Sequence, residues 1–192
     1  MLVERSRLLG LDIYNLQTGD KVGHVGQDII DPYKLKIAAF TVEKAGISPA
    51  VLLSQDIREC SDQGIVVNGA SDIVSPEGMP RLQEVIDYDF KLFKIRVYDD
   101  QKNYLGQVVD YTVVSDNFDI MQIIIQPSLF SRGHGGRLRI HREQVIEIDN
   151  RRIIVKAPTK MQRIQASPLN IDARTFDPAV DNPFRKRPAG AN

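Results

Sequence analysis

The stretch LGLDIYNLQTGDKVGHVGQDIIDPYKLKIAAFTV, residues 9–42, has a second version at residues 93–125, FKIRVYDDQKNYLGQVVDYTVVSDNFDIMQIII. With Gly23 set on Gly106, an offset of 83, Val22 meets Leu105, Val25 meets Val108, Leu35 meets Phe118 and Ile37 meets Ile120. Phe40 and Val42 meet Ile123 and Ile125. Upstream, an offset of 84 puts Ile13 and Tyr14 on Val97 and Tyr98. Downstream, an offset of 88 puts Ile57 on Val145, Glu59 on Glu147, and Ile65 to Val67 on Ile153 to Val155. The offset changes where turns are expected, and turns accept insertions. A long internal repeat decides the architecture of both copies at once.

Each copy reads as short strands. LLGLDIY and FKIRVY lead into the turns NLQTGD and DDQKN, and KVGHVGQDIID and YLGQVVDYTVV follow. LKIAAFTV and FDIMQIII come third. A hairpin closes each copy: DIREC and IVVN about a turn at Ser61 to Gly64, and QVIEI and IIVKA about a turn at Asp149 to Arg152. Aspartate, asparagine and glycine between β-rich runs supply the turns.

The spacing within these strands is odd. Strict alternation puts inward residues two apart. Val22 and Val25 are three apart, as are Leu105 and Val108, with a glycine inside each interval. Ile37 to Phe40 and Ile120 to Ile123 repeat the spacing. Each such interval keeps one face only if an extra residue is absorbed in a bulge, the device that bends a small sheet toward closure. The expectation is an all-β fold: two small β-barrels in tandem, joined by a short helix or turn. A copy of about 70 residues has a marginal core alone, so the two are expected to pack together. The connector is 76–91, where RLQEVIDYD has Leu82, Val85 and Ile86 on one helical face.

Domains are therefore expected at 5–75 and 88–157, followed by a flexible tail over 158–192. Half of the ten prolines lie in the last 35 residues or so, which blocks helix and inner strand alike. From Lys156 onward the chain is +4, and the remainder is −4, so the net charge of zero hides an asymmetry. Equal totals of 25 basic and 25 acidic residues argue against a general nucleic-acid binder. No apolar run approaches the ~20 residues that span a bilayer, and the start MLVERSRLLGLDIY is not a signal peptide. A single cysteine, Cys60, excludes an internal disulfide and a cysteine zinc cage, and a cytoplasmic protein is the default.

The residues Gly19, Val22, Gly23, Asp28 and Ile37 to Val42, followed by Leu53 to Ile57 and Ile65 to Val67, resemble the PRC-barrel family. That family's pattern is a leading strand, a turn glycine, a branched residue before a second glycine, an aspartate, an apolar strand and a valine-bearing hairpin. The second copy keeps Leu105, Gly106, Asp110, Ile120 to Ile125 and Val145. It departs with Asn103 at the turn glycine and His141 at Leu53. The resemblance implies tandem PRC-like barrels over about 5–157. It also implies an adaptor, since the family's barrels in the photosynthetic reaction-centre H subunit and in a ribosome-maturation factor are not used as enzymes. This chain has neither the membrane helix of the former nor the N-terminal domain of the latter.

The chemistry-bearing residues do not assemble into a catalytic set. His24 meets Gln107 in the repeat and reads as an exposed strand residue. His134, His141 and Glu143 are types that bind metals; two residues per pleat puts His141 and Glu143 on one face while His134 hangs in a loop, and no metal site is assigned. Cys60 aligns with the apolar Ile148 and reads as a small buried hydrophobe. Asp28 and Asp110 stand at equivalent family positions, with Asp31 and Asp116 nearby, and read as turn or strand-end hydrogen-bonding groups. The segment SRGHGGR reads as a turn between strands. With Phe130, Arg132, His134 and Arg137 it brings an aromatic residue and basic groups together as a candidate contact loop. In the tail, Phe184, Arg185, Lys186 and Arg187 form a second candidate contact, suited to an acidic surface, RNA or, weakly, an anionic membrane.

The expected function is a non-enzymatic adaptor or scaffold that binds a macromolecular partner through both barrels and the tail. It takes no cofactor and no small-molecule substrate. The alternative is an RNA-binding or ribosome-maturation accessory factor, suggested by the arginines Arg132, Arg137, Arg139, Arg142, Arg151 and Arg152 of the second copy.

Overall fold

The bulges foreseen from the three-residue spacings are present, at matching places in both copies. A computed structural model describes residues 1–43, 49–127 and 136–156. In chain order these form β1 (Leu2–Glu4), α1 (Arg5–Leu8), β2 (Asp12–Asn15), β3 (Lys21–Asp31), β4 (Lys36–Glu43), β5 (Val51–Leu53), β6 (Ile57–Cys60), β7 (Ile65–Val67) and β8 (Ile73–Val74). Then come α2 (Pro80–Tyr88), β9 (Arg96–Asp99), β10 (Tyr104–Val114), β11 (Ile120–Pro127), β12 (Leu138–His141), β13 (Val145–Ile148) and β14 (Arg152–Val155). Single 3₁₀ turns at Ser54–Asp56 and Arg142–Gln144 lead into β6 and β13.

The fold is mostly β, in two sheets of like order. The first runs β6-β7-β2-β3-β4-β5-β8, and the second runs β13-β14-β9-β10-β11-β12 with β1 added beside β10. Six strands correspond one to one. β2 pairs in parallel with β7, as β9 does with β14. Among the described residues each hydrogen-bonded path is open at its ends. Beside Gly23 and Gly106 the ladder slips by one residue, at Val22 and at Leu105. A second slip falls between Val25 and Asp28, and between Val108 and Asp110. A third skips Ala38 on β4 and Met121 on β11. Each bulge adds local twist and bends its strand.

The halves face each other about a pseudo-twofold axis. Lys36 bridges Asp119, its own repeat equivalent, in an isolated antiparallel pair. Ile37 N–H donates to the Phe118 carbonyl at 3.0 Å, and Ile120 N–H donates to the Leu35 carbonyl at 2.9 Å. Leu35 and Phe118 correspond to each other, and both hold left-handed backbone, at φ +49° and +59°. One apolar core runs through both halves: Ile13, Val25, Ile37 and Phe40 join Val97, Val108, Ile120 and Ile123. The Phe40 ring meets the edge of Phe118 at 5.5 Å across the boundary.

Two register details depart from expectation. Asn103 does not hold the place of the turn glycine. Lys102 does, at φ +67° against +74° for Gly19. Asn103 instead takes the place of Asp20: the Asp99 N–H donates to its carbonyl at 3.0 Å, as the Asn15 N–H donates to that of Asp20 at 2.9 Å. The second turn is one residue shorter, which is where the offset changes from 84 to 83. Likewise, Asp28 is not matched by Asp110. Asp28 lies opposite Phe40 and Tyr111 opposite Ile123, so Tyr111, at the same offset of 83, is the counterpart of Asp28.

The connector forms α2, opened by Pro80 and ended by Asp89 in left-handed backbone at φ +45°. Leu82 and Ile86 cover Ile29, Ala39, Val51 and Leu53 on the outer face of the first sheet. No helix among the described residues is long and apolar enough to cross a membrane. The tail 158–192, with its expected disorder, lies outside the described residues, as does the contact loop from 128 to 135.

Candidate functional site

The short helix α1 carries Arg5 and Ser6 to the seam between the halves. Arg5 Nε donates to Asp28 Oδ1 at 2.7 Å. The Tyr111 hydroxyl donates to the other oxygen, Asp28 Oδ2. Ser6 Oγ donates to Asp110 Oδ2 at 2.8 Å, and Asp110 Oδ1 accepts the Tyr111 backbone N–H at 2.8 Å. Arg5 also stands 5.6 Å over the Phe93 ring. Burial pushes the Tyr111 phenol well above its usual range, and the Asp28 charge pushes it further. Burial would lower the Arg5 guanidinium, but the Asp28 and Tyr111 groups outweigh that and raise it. Both carboxylates are thus spent on fixing the seam: Asp28 ties three parts of the chain together and has no oxygen without a donor.

The sequence candidates are dispersed. His24 is half-exposed on β3, its Nδ1 2.7 Å from Asp12 across the ladder. Lys21 donates to the same carboxylate, holding it below the usual carboxylate range. His141 and Glu143 do not share a strand face, because Glu143 sits in the 3₁₀ turn that His141 caps through Nδ1. Among the described residues no cluster of three metal-ligating side chains exists. Burial pushes the Cys60 thiol up to about 11, so it stays protonated at neutral pH. Asp31 closes a turn by accepting from the N–H groups of Tyr33 and Lys34, and Asp116 is exposed, so the four aspartates form no group. Of the candidate contact residues, only Arg137 is described, exposed just before β12. Phe130, Arg132, His134, Phe184, Arg185, Lys186 and Arg187 lie outside the described residues. Carboxylates already hold Arg139 (Glu4, 3.2 Å), Arg142 (Asp119, 3.7 Å) and Arg152 (Glu147, 3.4 Å).

The outer faces of the two sheets differ in character. On the first, the cross-strand row Ile29, Ala39 and Leu53 is apolar and lies under α2. The matching row on the second is Thr112, Gln122 and His141, and β1 extends it with Glu4. Among the described residues no counterpart of α2 covers it; the short α1 meets the same face of β10, where Ser6 bonds Asp110. Arg139 stands where the first sheet has Val51, and bonds Glu4 and Gln122 at 3.2 Å each. Beside this row lies a crevice of about 300 Å³ that reaches from β1 to the Ser61–Asp62 turn of the first half, with Arg7 on its wall. Thr112 lines it and is only 3% exposed, yet its hydroxyl has no hydrogen-bonding partner.

The sequence reading passed over Arg5, Ser6, Tyr111 and Thr112. One signal was available: at offset 83, Ile29 meets Thr112, a hydroxyl in place of an isoleucine within matched strands. A scan of known protein families finds no model that matches this chain, and a search of curated proteins finds no match either.

Proposed function

We propose that the chain is a non-enzymatic adaptor, built from two PRC-barrel-like halves, that binds a protein partner in the cytoplasm. The observation that carries the reading is the asymmetry between two sheets of the same order. The outer face of the first is apolar and covered by its own helix α2; that of the second is polar, has no counterpart of α2 among the described residues, meets only the short α1 at Asp110, and is bordered by Arg137. A polar face of this kind suits a reversible interface better than a core. The repeated bulge positions, with Gly23 and Gly106 beside the first of them, fit the PRC-like pattern. The tail, with Phe184 to Arg187, adds a second contact that raises avidity through its tether. The buried ionisable groups are engaged in the seam, in the turn that Asp99 closes or, at Cys60, kept neutral, which favours binding over turnover.

The RNA alternative draws on the same arginines, but Arg139, Arg142 and Arg152 already answer to carboxylates. A protein partner is therefore the stronger reading. Cross-linking capture with the full chain is expected to recover a partner that is lost with Arg137→Glu or on removal of 158–192, while the melting profile stays unchanged. RNA binding that falls steeply with salt would replace the reading with the alternative, and robust turnover of a small molecule by the purified protein would end it.

A further inference from the structure

In the first half the chain leaves β7 at Val67, makes a 3₁₀ turn at Ala70–Asp72, and returns as β8 along the free edge of β5. Ile73 pairs with Leu52 and joins the common core, whereas Val74 pairs with Val51 on the outer side under α2. β12 is the counterpart of β5. Ile140 lies opposite Ile123 as Leu52 lies opposite Phe40, and Arg139 opposite Ile124 as Val51 opposite Thr41. Among the described residues β12 is paired on its β11 side alone. An open edge of this kind is a template for another strand.

The chain beyond β14 fits that edge. The offset of 88 that sets Ile65 to Val67 on Ile153 to Val155 goes on to set Ile73 on Met161 and Val74 on Gln162, across a link of equal length. Gly69 holds extended backbone at φ −170°, and its equivalent, Ala157, precedes Pro158, which favours the same conformation. Pro158 falls on Ala70, the first residue of the 3₁₀ turn, where a missing N–H is tolerated. Asp72 accepts from the Asn68 N–H at 2.8 Å and from the Gly69 N–H at 3.3 Å. Lys160 stands in its place, but the equivalent of the shorter bond has its substitute, because the Lys156 N–H donates to the Gln144 carbonyl at 2.8 Å. That contact also sets the start of the segment beside the turn that follows His141, the end of β12 from which an antiparallel strand must arrive.

We propose that residues 160–163 add to the free edge of β12 as an antiparallel strand, Met161 opposite Ile140 and Gln162 opposite Arg139, as β8 adds to β5. The register follows from polarity. Ile140 belongs to the core, so Met161 faces inward, and Gln162 joins Arg139 and Gln122 on the polar outer side. A slip of one residue would put glutamine in the core and methionine on the polar face. The segment closes the edge against pairing with other chains. The proposal does not use the adaptor reading, which stands on partner capture.

So short a strand frays below the global midpoint, so local measurements read it and melting does not. In hydrogen exchange on the full chain, Met161→Asp sets a charge against the core and is expected to speed the β12 amides that face away from β11 at least about fivefold, leaving those of β5 unchanged. Met161→Leu is expected to match the parent, and so is Ile171→Asp, the same kind of change farther along the tail. In a Cys60→Ala background, Arg139→Cys with Gln162→Cys is expected to oxidise at least about fivefold faster than Arg139→Cys with Ala166→Cys. Equal β12 exchange in the parent and in Met161→Asp overturns the proposal, as do equal oxidation rates for the two cysteine pairs. So does an effect of Ile171→Asp as large as that of Met161→Asp, or β12 protection that grows with protein concentration, which would assign the edge to a second copy.

Discussion

Replacing Asp28 by alanine removes the one group that Arg5 and Tyr111 share. The Arg5 side chain is 20% exposed and Asp28 is 8% exposed, with 2.7 Å between Nε and Oδ1. Breaking a buried pair by deleting one partner costs about 3–5 kcal/mol. Arg5 keeps some water and its place over Phe93, which sets its share near the lower bound, about 3 kcal/mol. The Tyr111 hydroxyl, in a side chain with no exposed surface, loses its acceptor, and that adds about 1 kcal/mol. Asp28→Ala is therefore expected to cost about 4 kcal/mol, or about 8–16 °C in midpoint for a chain of this length. Urea unfolding measures it. The decisive comparison is a cycle with Arg5→Met: once the guanidinium is gone, Asp28→Ala should cost about 2 kcal/mol or less. A cost below about 1 kcal/mol in the parent, or additivity within about 0.5 kcal/mol, refutes the claim that this seam is held by a shared charge.

Gly106 has φ +148°, and a Cβ there would lie 2.1 Å from the Gln126 carbonyl oxygen. Gly106→Ala is expected to lose about 2–4 kcal/mol in the same urea assay, and a loss under about 0.5 kcal/mol would contradict the close strand approach. Lys102 pays for left-handed backbone at φ +67° in the place where the first copy has Gly19. Lys102→Gly is expected to leave stability level or raise it by up to about 1 kcal/mol, against the usual penalty for adding glycine, and a clear loss would refute the register given to that turn.

The repeated strands were legible because their apolar pattern and turn residues survive in both copies. The bulges at Val22 and Leu105, and at Ala38 and Met121, were legible for a narrower reason: two apolar residues three apart cannot share a face in a regular strand. Other features leave no such trace. The parallel pairing of β2 with β7 depends on which edge the returning hairpin meets, and period-two alternation carries no record of its partner. β1 has three residues, too few for any periodicity, yet it completes the second sheet. Aligning Asp28 with Asp110 followed residue type, whereas the offset of 83 that holds through these strands sets Asp28 on Tyr111, as the register confirms. Thr112 was hidden for a related reason. Nothing in one strand says that the matching face in the other copy lies under α2, which has no counterpart over this one among the described residues.

Stability at high pH follows from the seam as well. The Tyr111 phenol has a raised pKa in the folded chain, so the folded state holds its proton after the unfolded state has released it. The stability this contributes is present in full below the unfolded pKa of about 10 and is lost as pH rises from there through the folded value. The slope approaches about 1.4 kcal/mol per pH unit. Cys60 adds a like loss between its ordinary 9.0 and about 11, so the measurement belongs in a Cys60→Ala background. There, Tyr111→Phe is expected to flatten the decline above pH 10, and equal declines with and without the hydroxyl would refute the link. The position of this phenol also explains why the halves differ here. In an exact repeat, residue 28 would meet its own copy close to the pseudo-twofold axis. Two aspartates there would repel, and two tyrosines would bury hydroxyls with no carboxylate between them. Aspartate on one side and tyrosine on the other turn the self-contact into a hydrogen bond, with Arg5 supplying the balancing charge. That divergence ties the two halves together across the seam.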